Sequence, residues 1–423
     1  MSFNEWREVV LKDVIDFNPK ESIKKGTLTK KIGMDKLAPF QRRIDGFELE
    51  AFTGGSKFRN GDTLLARITP CLENGKTAQV TILDDDEIAF GSTEYIVLRN
   101  KKEITDNNYI FYLALSQYIR DTAIKSMTGT SGRQRAQTDV VENTKIMLPP
   151  LEEQKAIAHI LSTLDDKIEV NSQINRTLEN IAQVIFKQWF VDFEFPNEDG
   201  EPYKSSGGEM FESDLGMIPK GWEVGTLKDI GEIIGGGTPS KSKEHYFAEN
   251  GIPWITPKDL SNNKNKFIDR GALDISEEGL KNSSAKLMPE GTVLFSSRAP
   301  IGYIAIAKNP VTTNQGFKSI VPRKLYGTEF VYRILLSNLD KIESRASGST
   351  FKEISGGELK KIEVVLPTQN VINNFNLIVA DMSKLISINE DSSKKLTNIR
   401  DSLLPKLMSG EIRVPLDEEG DAS

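Results

Sequence analysis

Between Leu151 and Phe190 the chain runs forty residues without a glycine or a proline. Pro149 and Pro150 lead in, and Glu152 and Glu153 follow Leu151, the pattern of a helix start with acids at its positive end. Ile157, Leu161, Leu164, Ile168, Asn171, Asn175, Leu178, Ala182 and Ile185 then succeed one another at alternating steps of four and three, the spacing of a coiled-coil seam. Ile160, Ile174 and Ile181 are expected to widen that seam. At ~1.5 Å per residue such a helix is ~60 Å long, more than the width of a small domain, so it needs a partner helix.

The partner lies 218 positions further on, where Phe375, Val379, Met382, Ile386, Asn389, Ser393, Leu396, Arg400 and Leu403 repeat the same phases. The repeat extends beyond the helix. Trp6 and Leu11-Lys12-Asp13 match Trp222 and Leu227-Lys228-Asp229 at an offset of 216, and Leu148-Pro149 matches Leu366-Pro367. The chain therefore reads as two copies of one unit, each a globular domain followed by a long helix. The expected boundaries are a domain over 1–150, a helix over 151–191, a linker over 192–218, a second domain over 219–366, a second helix over 367–411 closed by Pro405 and Gly410, and a tail over 412–423.

Within the first domain, 63–68, 76–83 and 94–100 read as strands bounded by turn residues, and 107–124 as a helix. A polar loop, 127–139, follows. Strands dominate the second domain too, and its 346–358 loop is the counterpart when Gly129-Thr130 is set on Gly348-Ser349. The fold class is mixed α+β.

The distribution of charge along the chain matters more than its sum. Of a formal net charge of −7, the stretch 192–214 carries −7 and 411–423 carries −4, which leaves +4 on the rest. A mildly basic body with an acidic linker and tail is compatible with local contact to nucleic acid. The first ten residues contain no apolar leader, no 18-residue apolar run occurs, and the lone Cys71 excludes an intramolecular disulfide, so a cytoplasmic protein is expected.

Catalytic motifs are missing. Asn74-Gly75-Lys76-Thr77 ends like a phosphate loop, but its first glycine would fall on Pro70, and Gly235-Gly236-Gly237-Thr238 lacks the lysine. The only Pro-Pro pair leads a helix, so the Asn/Asp-Pro-Pro-aromatic tetrapeptide of an amino-methyltransferase is absent. With two histidines, His159 and His245, and no HExxH, CxxC or GxSxG, neither a metal site nor a nucleophile is expected. A self-contained enzyme is excluded on these grounds.

Along essentially its whole length the chain resembles the DNA-specificity subunit of type I restriction-modification systems. The segments LPPLEEQKAIAHILSTLDDKIE, INRTLENIAQVIFKQWFVDF, GMIPKGWEVGTLKDIGEIIGGGTPSK, VLFSSRAPIGYIAIA, TNQGFKSIVP and GSTFKEISGGELKKIEVVLP carry the likeness, in that family's order. The resemblance implies two target-recognition domains, each reading half of a split double-stranded DNA site, with the two helices packed antiparallel as a spacer. It implies no cofactor and no catalysis in this chain. Two methyltransferase subunits would bring S-adenosylmethionine chemistry at adenine N6, and restriction subunits with motor and nuclease activity would bring ATP and Mg2+. One departure stands out: the second helix opens TQNVINNFNLI where the first has PLEEQKAIAHI, so the Glu-Glu-Gln pattern occurs once.

Arginine and lysine suit guanine O6/N7, and asparagine and glutamine suit adenine N6/N7. The candidate DNA-binding residues in the first domain are Thr130, Ser131, Arg133, Gln134 and Arg135, with Lys57 and Arg67 as backbone contacts. In the second they are Lys241, Lys243, Arg298, Asn314, Gln315, Lys318, Ser349 and Lys352. Asn171 and Asn389, at the helix midpoints and at the same seam phase, are expected to meet and set the spacer's register. The competing reading is an oligomerising coiled-coil scaffold without a nucleic-acid role, which would show no salt-dependent retention of DNA.

Overall fold

A computed structural model describes residues 5–263, 265–348 and 352–415. The chain divides into two compact units, the first formed by 1–170 and 393–423 and the second by 171–392.

In the first unit the apolar alternation of short strands builds two four-stranded sheets. One runs Ile15–Phe17, Tyr95–Asn100, Thr63–Ala66, Thr77–Gln79 in spatial order; the other runs Glu48–Ala51, Leu28–Ile32, Ile88–Gly91, Ser56–Arg59. Successive side chains of a strand point to opposite faces. Accordingly Leu64 and Val97 join Phe58, Tyr95 and Ile32 in one buried cluster, while Leu65, Ile96 and Leu98 join Tyr109, Phe111 and Tyr112 in another. The first sheet is thereby covered on both faces. Arg7–Val10 pairs antiparallel with Lys145–Leu148, which ties the chain's start to the strand that feeds the long helix.

The helix expected over 107–124 is two helices, Asn107–Leu115 and Gln117–Lys125. Ser116 separates them in an extended conformation, and its hydroxyl donates to the Leu113 carbonyl at 2.6 Å. A serine hydroxyl competes locally with the helical ladder in this way, and apolar spacing alone does not reveal the break.

The second unit repeats the plan. Gly231–Gly235, Lys318–Pro322, Val293–Ser297, Ile301–Ala307 and Phe267–Ile268 form a five-stranded sheet, and Phe247–Ala248, Leu273–Ile275, Ile252–Ile255 and Thr312–Thr313 a four-stranded one. Glu223–Thr226 pairs with Glu363–Leu366 as Arg7–Val10 does with Lys145–Leu148. The acidic 192–218 stretch is not an open linker. Phe195 stacks between Tyr203 and Trp222 with ring centroids 4.6 and 5.1 Å apart, and Met210–Ser213 with Gly216–Pro219 closes a hairpin. Its aromatic residues find an apolar surface that its average composition hides.

The two long helices, Leu151–Phe190 and Gln369–Ser409, contribute to both units. In the first unit Arg413 donates to Glu153 at 2.6 Å and Arg400 to Asp165 at 2.7 Å, so one helix rises as the other falls. In the second unit Asn175 faces Ile386 and Phe186 and Phe190 face Phe375, again antiparallel. Ile160, Ile174 and Ile181 do not widen the seam. They are 36%, 37% and 41% exposed, because each sits one residue before a seam position, on the flank that a two-helix seam leaves open. Nor does Pro405 close the second helix, which continues to Ser409; Gly410, at φ +76°, ends it. Pro405 removes only the bond its missing N–H would have made to Asp401. Among the described residues no helix is long and apolar enough to cross a membrane.

Charged groups fix each domain to the seam. In the first unit the Tyr112 hydroxyl donates to Asp165 at 2.7 Å, the acid that also holds Arg400. In the second, Arg333 donates to Glu179 at 2.9 Å, and Lys266 bridges Glu179 and Glu329 at 2.9 and 2.8 Å. Glu390 accepts the backbone N–H groups of Lys266 and Phe267 at 2.7 and 3.3 Å. Burial pushes its carboxyl up to about 7, against the pull of those two N–H groups, Lys308 and Lys266.

The seam asparagines form a network rather than one contact. Asn171 Nδ2 donates to the Asn389 carbonyl at 3.4 Å, Asn389 Nδ2 to Asn175 Oδ1 at 2.9 Å, and Asn175 Nδ2 to the Ile386 carbonyl at 3.4 Å. Removing one member strands a partner, at a cost of about 1 kcal/mol, whereas replacing all of them by apolar groups does not. Asn389→Leu is therefore expected to lower the thermal midpoint, and the triple change of Asn171, Asn175 and Asn389 to leucine to raise it above wild type. A triple variant less stable than the single one would contradict this.

Glu390 makes stability depend on pH. The folded carboxyl keeps its proton up to about 7, while an ordinary glutamate releases it near 4.5. Its contribution is thus full below about 4.5 and is lost as pH rises through about 7. Glu390→Gln, which keeps an acceptor for the Lys266 N–H, is expected to stabilise the protein by up to roughly 3 kcal/mol at about pH 8. It should also flatten the loss of stability expected of the wild type between about pH 4.5 and 7 in urea unfolding. An undiminished pH dependence in the variant would contradict it.

Candidate nucleic-acid interface

The polar loop of the first unit is a tight hairpin. Thr128 and Arg135 exchange backbone hydrogen bonds at 3.1 and 2.9 Å, and the returning strand is stitched to the end of Thr63–Ala66 by Ala136 N–H to Arg67 O at 2.8 Å and Thr69 N–H to Gln134 O at 3.0 Å. Gly129, at φ +126°, begins the turn; a Cβ there would sit 3.1 Å from the Arg133 carbonyl. The Arg133 N–H closes the tip on the Thr130 carbonyl at 3.0 Å. Thr130, Ser131 and Arg133 consequently stand exposed at the tip, with Gln134 half-buried.

Arg135 turns to the neighbouring strand. Its Nε and Nη2 donate to the Glu94 carboxylate at 2.7 to 2.9 Å, and Arg67 Nε reaches the same acid at 3.5 Å. The Arg135 guanidinium holds the Glu94 carboxyl below its ordinary range.

The second unit repeats the base of this hairpin. Ser347 and Glu353 exchange backbone bonds at 3.0 and 2.9 Å, Ile354 N–H donates to the Ser297 carbonyl at 3.0 Å, and Gly348 takes φ +116° where the first copy has Gly129. In both copies the neighbouring strand runs into a cis X-Pro bond, Thr69–Pro70 and Ala299–Pro300. Here the closing residue is an acid: Glu353 accepts from Arg298 Nη1 at 3.3 Å and lies 3.7 Å from Lys318 Nζ. Lys352 is exposed beside it, and Ser349 lies outside the described residues.

The remaining candidates make their contacts elsewhere. Lys57 donates to the Glu21 carbonyl at 3.0 Å and lies over the Phe52 ring, so its charge is engaged within the domain. Asn314 Oδ1 accepts the Gly316 N–H at 2.9 Å, which shapes its own turn, and Gln315 accepts from the Thr238 hydroxyl. Lys243 donates to the Tyr246 hydroxyl at 2.8 Å, while Lys241 is exposed. The glycine run before Thr238 is a packing device: a Cβ on Gly236 would fall 1.9 Å from the Asn314 carbonyl oxygen, and one on Gly237 2.3 Å from the backbone of Ser284 and Ala285. Sequence reasoning overlooked Glu94 and Glu353, because a search for groups that touch DNA passes over acids. The signal that could have found Glu94 is its position at the head of the apolar 95–98 strand, across the sheet from Arg67.

A family model described as the type I restriction modification DNA specificity domain matches residues 4–180 and, a second time, 219–398. The chain is 30% identical over 409 residues to the type I restriction enzyme HindI specificity subunit of Haemophilus influenzae, spanning 84% of this chain and 87% of that protein. To the MjaIX specificity subunit of Methanocaldococcus jannaschii it is 40% identical over 193 residues, 45% of this chain and 44% of that one. A crystal structure of a type I restriction-modification S subunit from M. genitalium matches with a TM-score of 0.59 over 96% of each chain at 17% identity, a likeness of fold.

Proposed function

Because the chain belongs to the type I restriction-modification DNA specificity family, we propose that it reads a two-part DNA site, one half through each domain, and docks methyltransferase and restriction subunits without chemistry of its own. The observation that carries this reading is the recurrence, once in each copy, of a hairpin braced by an ion pair and placed at the end of an equivalent strand. Two matched reading elements in one chain suit a site of two halves.

The chemistry follows from what the tips offer. Arg133 and Gln134 in the first domain, and Lys352 in the second, are the donors and acceptors that match purine edges in the major groove, each good bidentate contact discriminating by ~1–3 kcal/mol. Lysines outside the hairpins, Lys241 among them, would serve the phosphate backbone, where release of counterions makes affinity fall steeply with salt. The long helices act as the spacer, their seam register fixing the gap between half-sites. S-adenosylmethionine would be held by the methyltransferase subunits, and ATP and Mg2+ by the restriction subunits.

The test is to co-express the chain with candidate methyltransferase subunits and map methylated adenines across the host genome. A single two-part motif is expected, and exchanging 1–150 for the same region of another specificity subunit should change one half of it and leave the other. An unaltered motif after the exchange would overturn the two-part reading.

A further inference from the structure

Glu94 and Glu353 are acids at the base of two hairpins proposed to meet a polyanion, where an unpaired carboxylate would repel the ligand. Both are paired. Glu94 receives Nε and Nη2 of Arg135, and the remaining Nη1 of that guanidinium turns to the Arg133 carbonyl at 3.3 Å. Recognition of guanine by arginine needs two adjacent donors of the fork presented together; Arg135 has its Nε–Nη2 edge on Glu94 and its Nη1 on the Arg133 carbonyl.

The second copy inverts the pair. Where Arg135 closes the first hairpin, Glu353 closes the second, and the bases are Arg298, just past the Val293–Ser297 strand, and Lys318, at the start of Lys318–Pro322. A residue whose task was to touch phosphate could not be a cation in one copy and a carboxylate in the other, and a carboxylate free to read cytosine N4 would not be tied to two basic side chains of its own domain. A residue whose task is to pin the hairpin to the strand can be either, provided its partner changes with it. The polarity is free and the pairing is kept.

We infer that Glu94 and Glu353 are positioning residues that aim the hairpin tips at DNA, with Arg135, Arg298 and Lys318 as their partners, and that base reading falls to tip residues such as Arg133. This rests on the DNA-reading function proposed above.

The experiment selects binders from a random-sequence duplex library with the full chain co-purified with methyltransferase subunits. Glu94→Gln is expected to weaken binding to the wild-type target roughly three- to tenfold, the effect of one lost charge-assisted bond. It should blur the first half-site only, and it should leave the slope of log affinity against log salt unchanged, since no phosphate contact is removed. Glu94→Lys combined with Arg135→Glu, which copies the polarity of the second hairpin, is expected to restore the first half-site. Arg133→Ala should alter the bases selected in that half and find no rescue. Glu353→Gln should blur the second half alone, which separates aiming from a general failure to fold. If wild type selects a two-part site and Glu94→Gln selects it equally well, or if the swap fails to restore what Glu94→Gln lost, the positioning role is overturned while the function stands. If wild type selects no sequence, both fall.

Discussion

A forty-residue helix with its apolar residues on one stripe is stable in water only when that stripe is covered, and most of what is ordered in this protein follows from how the two long helices cover one another. In the first unit Ile157 and Leu161 share a core with Leu404 and Leu407; in the second Phe186 and Phe190 pack on Phe375. The polar members of the seam are more instructive than the apolar ones. Asp165 with Arg400 and the asparagine network each permit one alignment of the helices, because sliding either helix by a turn would leave buried charges or amides without partners. Breaking a buried pair costs about 3–5 kcal/mol even where the intact pair adds little to stability. Such groups select an alignment more than they strengthen it.

The same charged residues bind the domains to the helices, with different chemistry in each copy. Tyr112 reaches Asp165 in the first unit, while Arg333, which follows Tyr332 as Tyr112 follows Phe111, reaches Glu179 in the second. The hairpins show the same freedom, with Arg135 on Glu94 in one copy and Glu353 on Arg298 and Lys318 in the other. A duplicated fold has kept its geometry and changed the charges that enforce it. For a protein proposed to read two unlike half-sites, that separation is useful: the frame that aims a hairpin is conserved in shape while its tip is free to differ.

The helices and the repeat were legible from residues alone, since heptad phase and a shared offset of 216 to 218 are one-dimensional properties. The strands read at 63–68, 76–83 and 94–100 are present, all in one sheet, as the shorter Thr63–Ala66, Thr77–Gln79 and Tyr95–Asn100. What failed depended on a third dimension. Ile160, Ile174 and Ile181 carry helical spacing, but which flank of a two-helix seam stays wet is set by the partner. Ser116 breaks a helix through one hydroxyl, and the acidic 192–218 stretch folds because Trp222 happens to present a face for Phe195. At the hairpins the residue types were read correctly as polar and basic, yet type could not tell an arginine that faces outward, Arg133, from one that faces a carboxylate, Arg135.

If helix length and register set the spacing of a two-part DNA site, as proposed, longer helices must widen it. Seven residues inserted into each long helix, at matched points beside Asn171 and Asn389, preserve seam phase and add ~10 Å of helix. At 3.4 Å per base pair, the gap between methylated half-sites should grow by about three base pairs with both half-sites unchanged. A variant that assembles, methylates and keeps the original gap would contradict the claim.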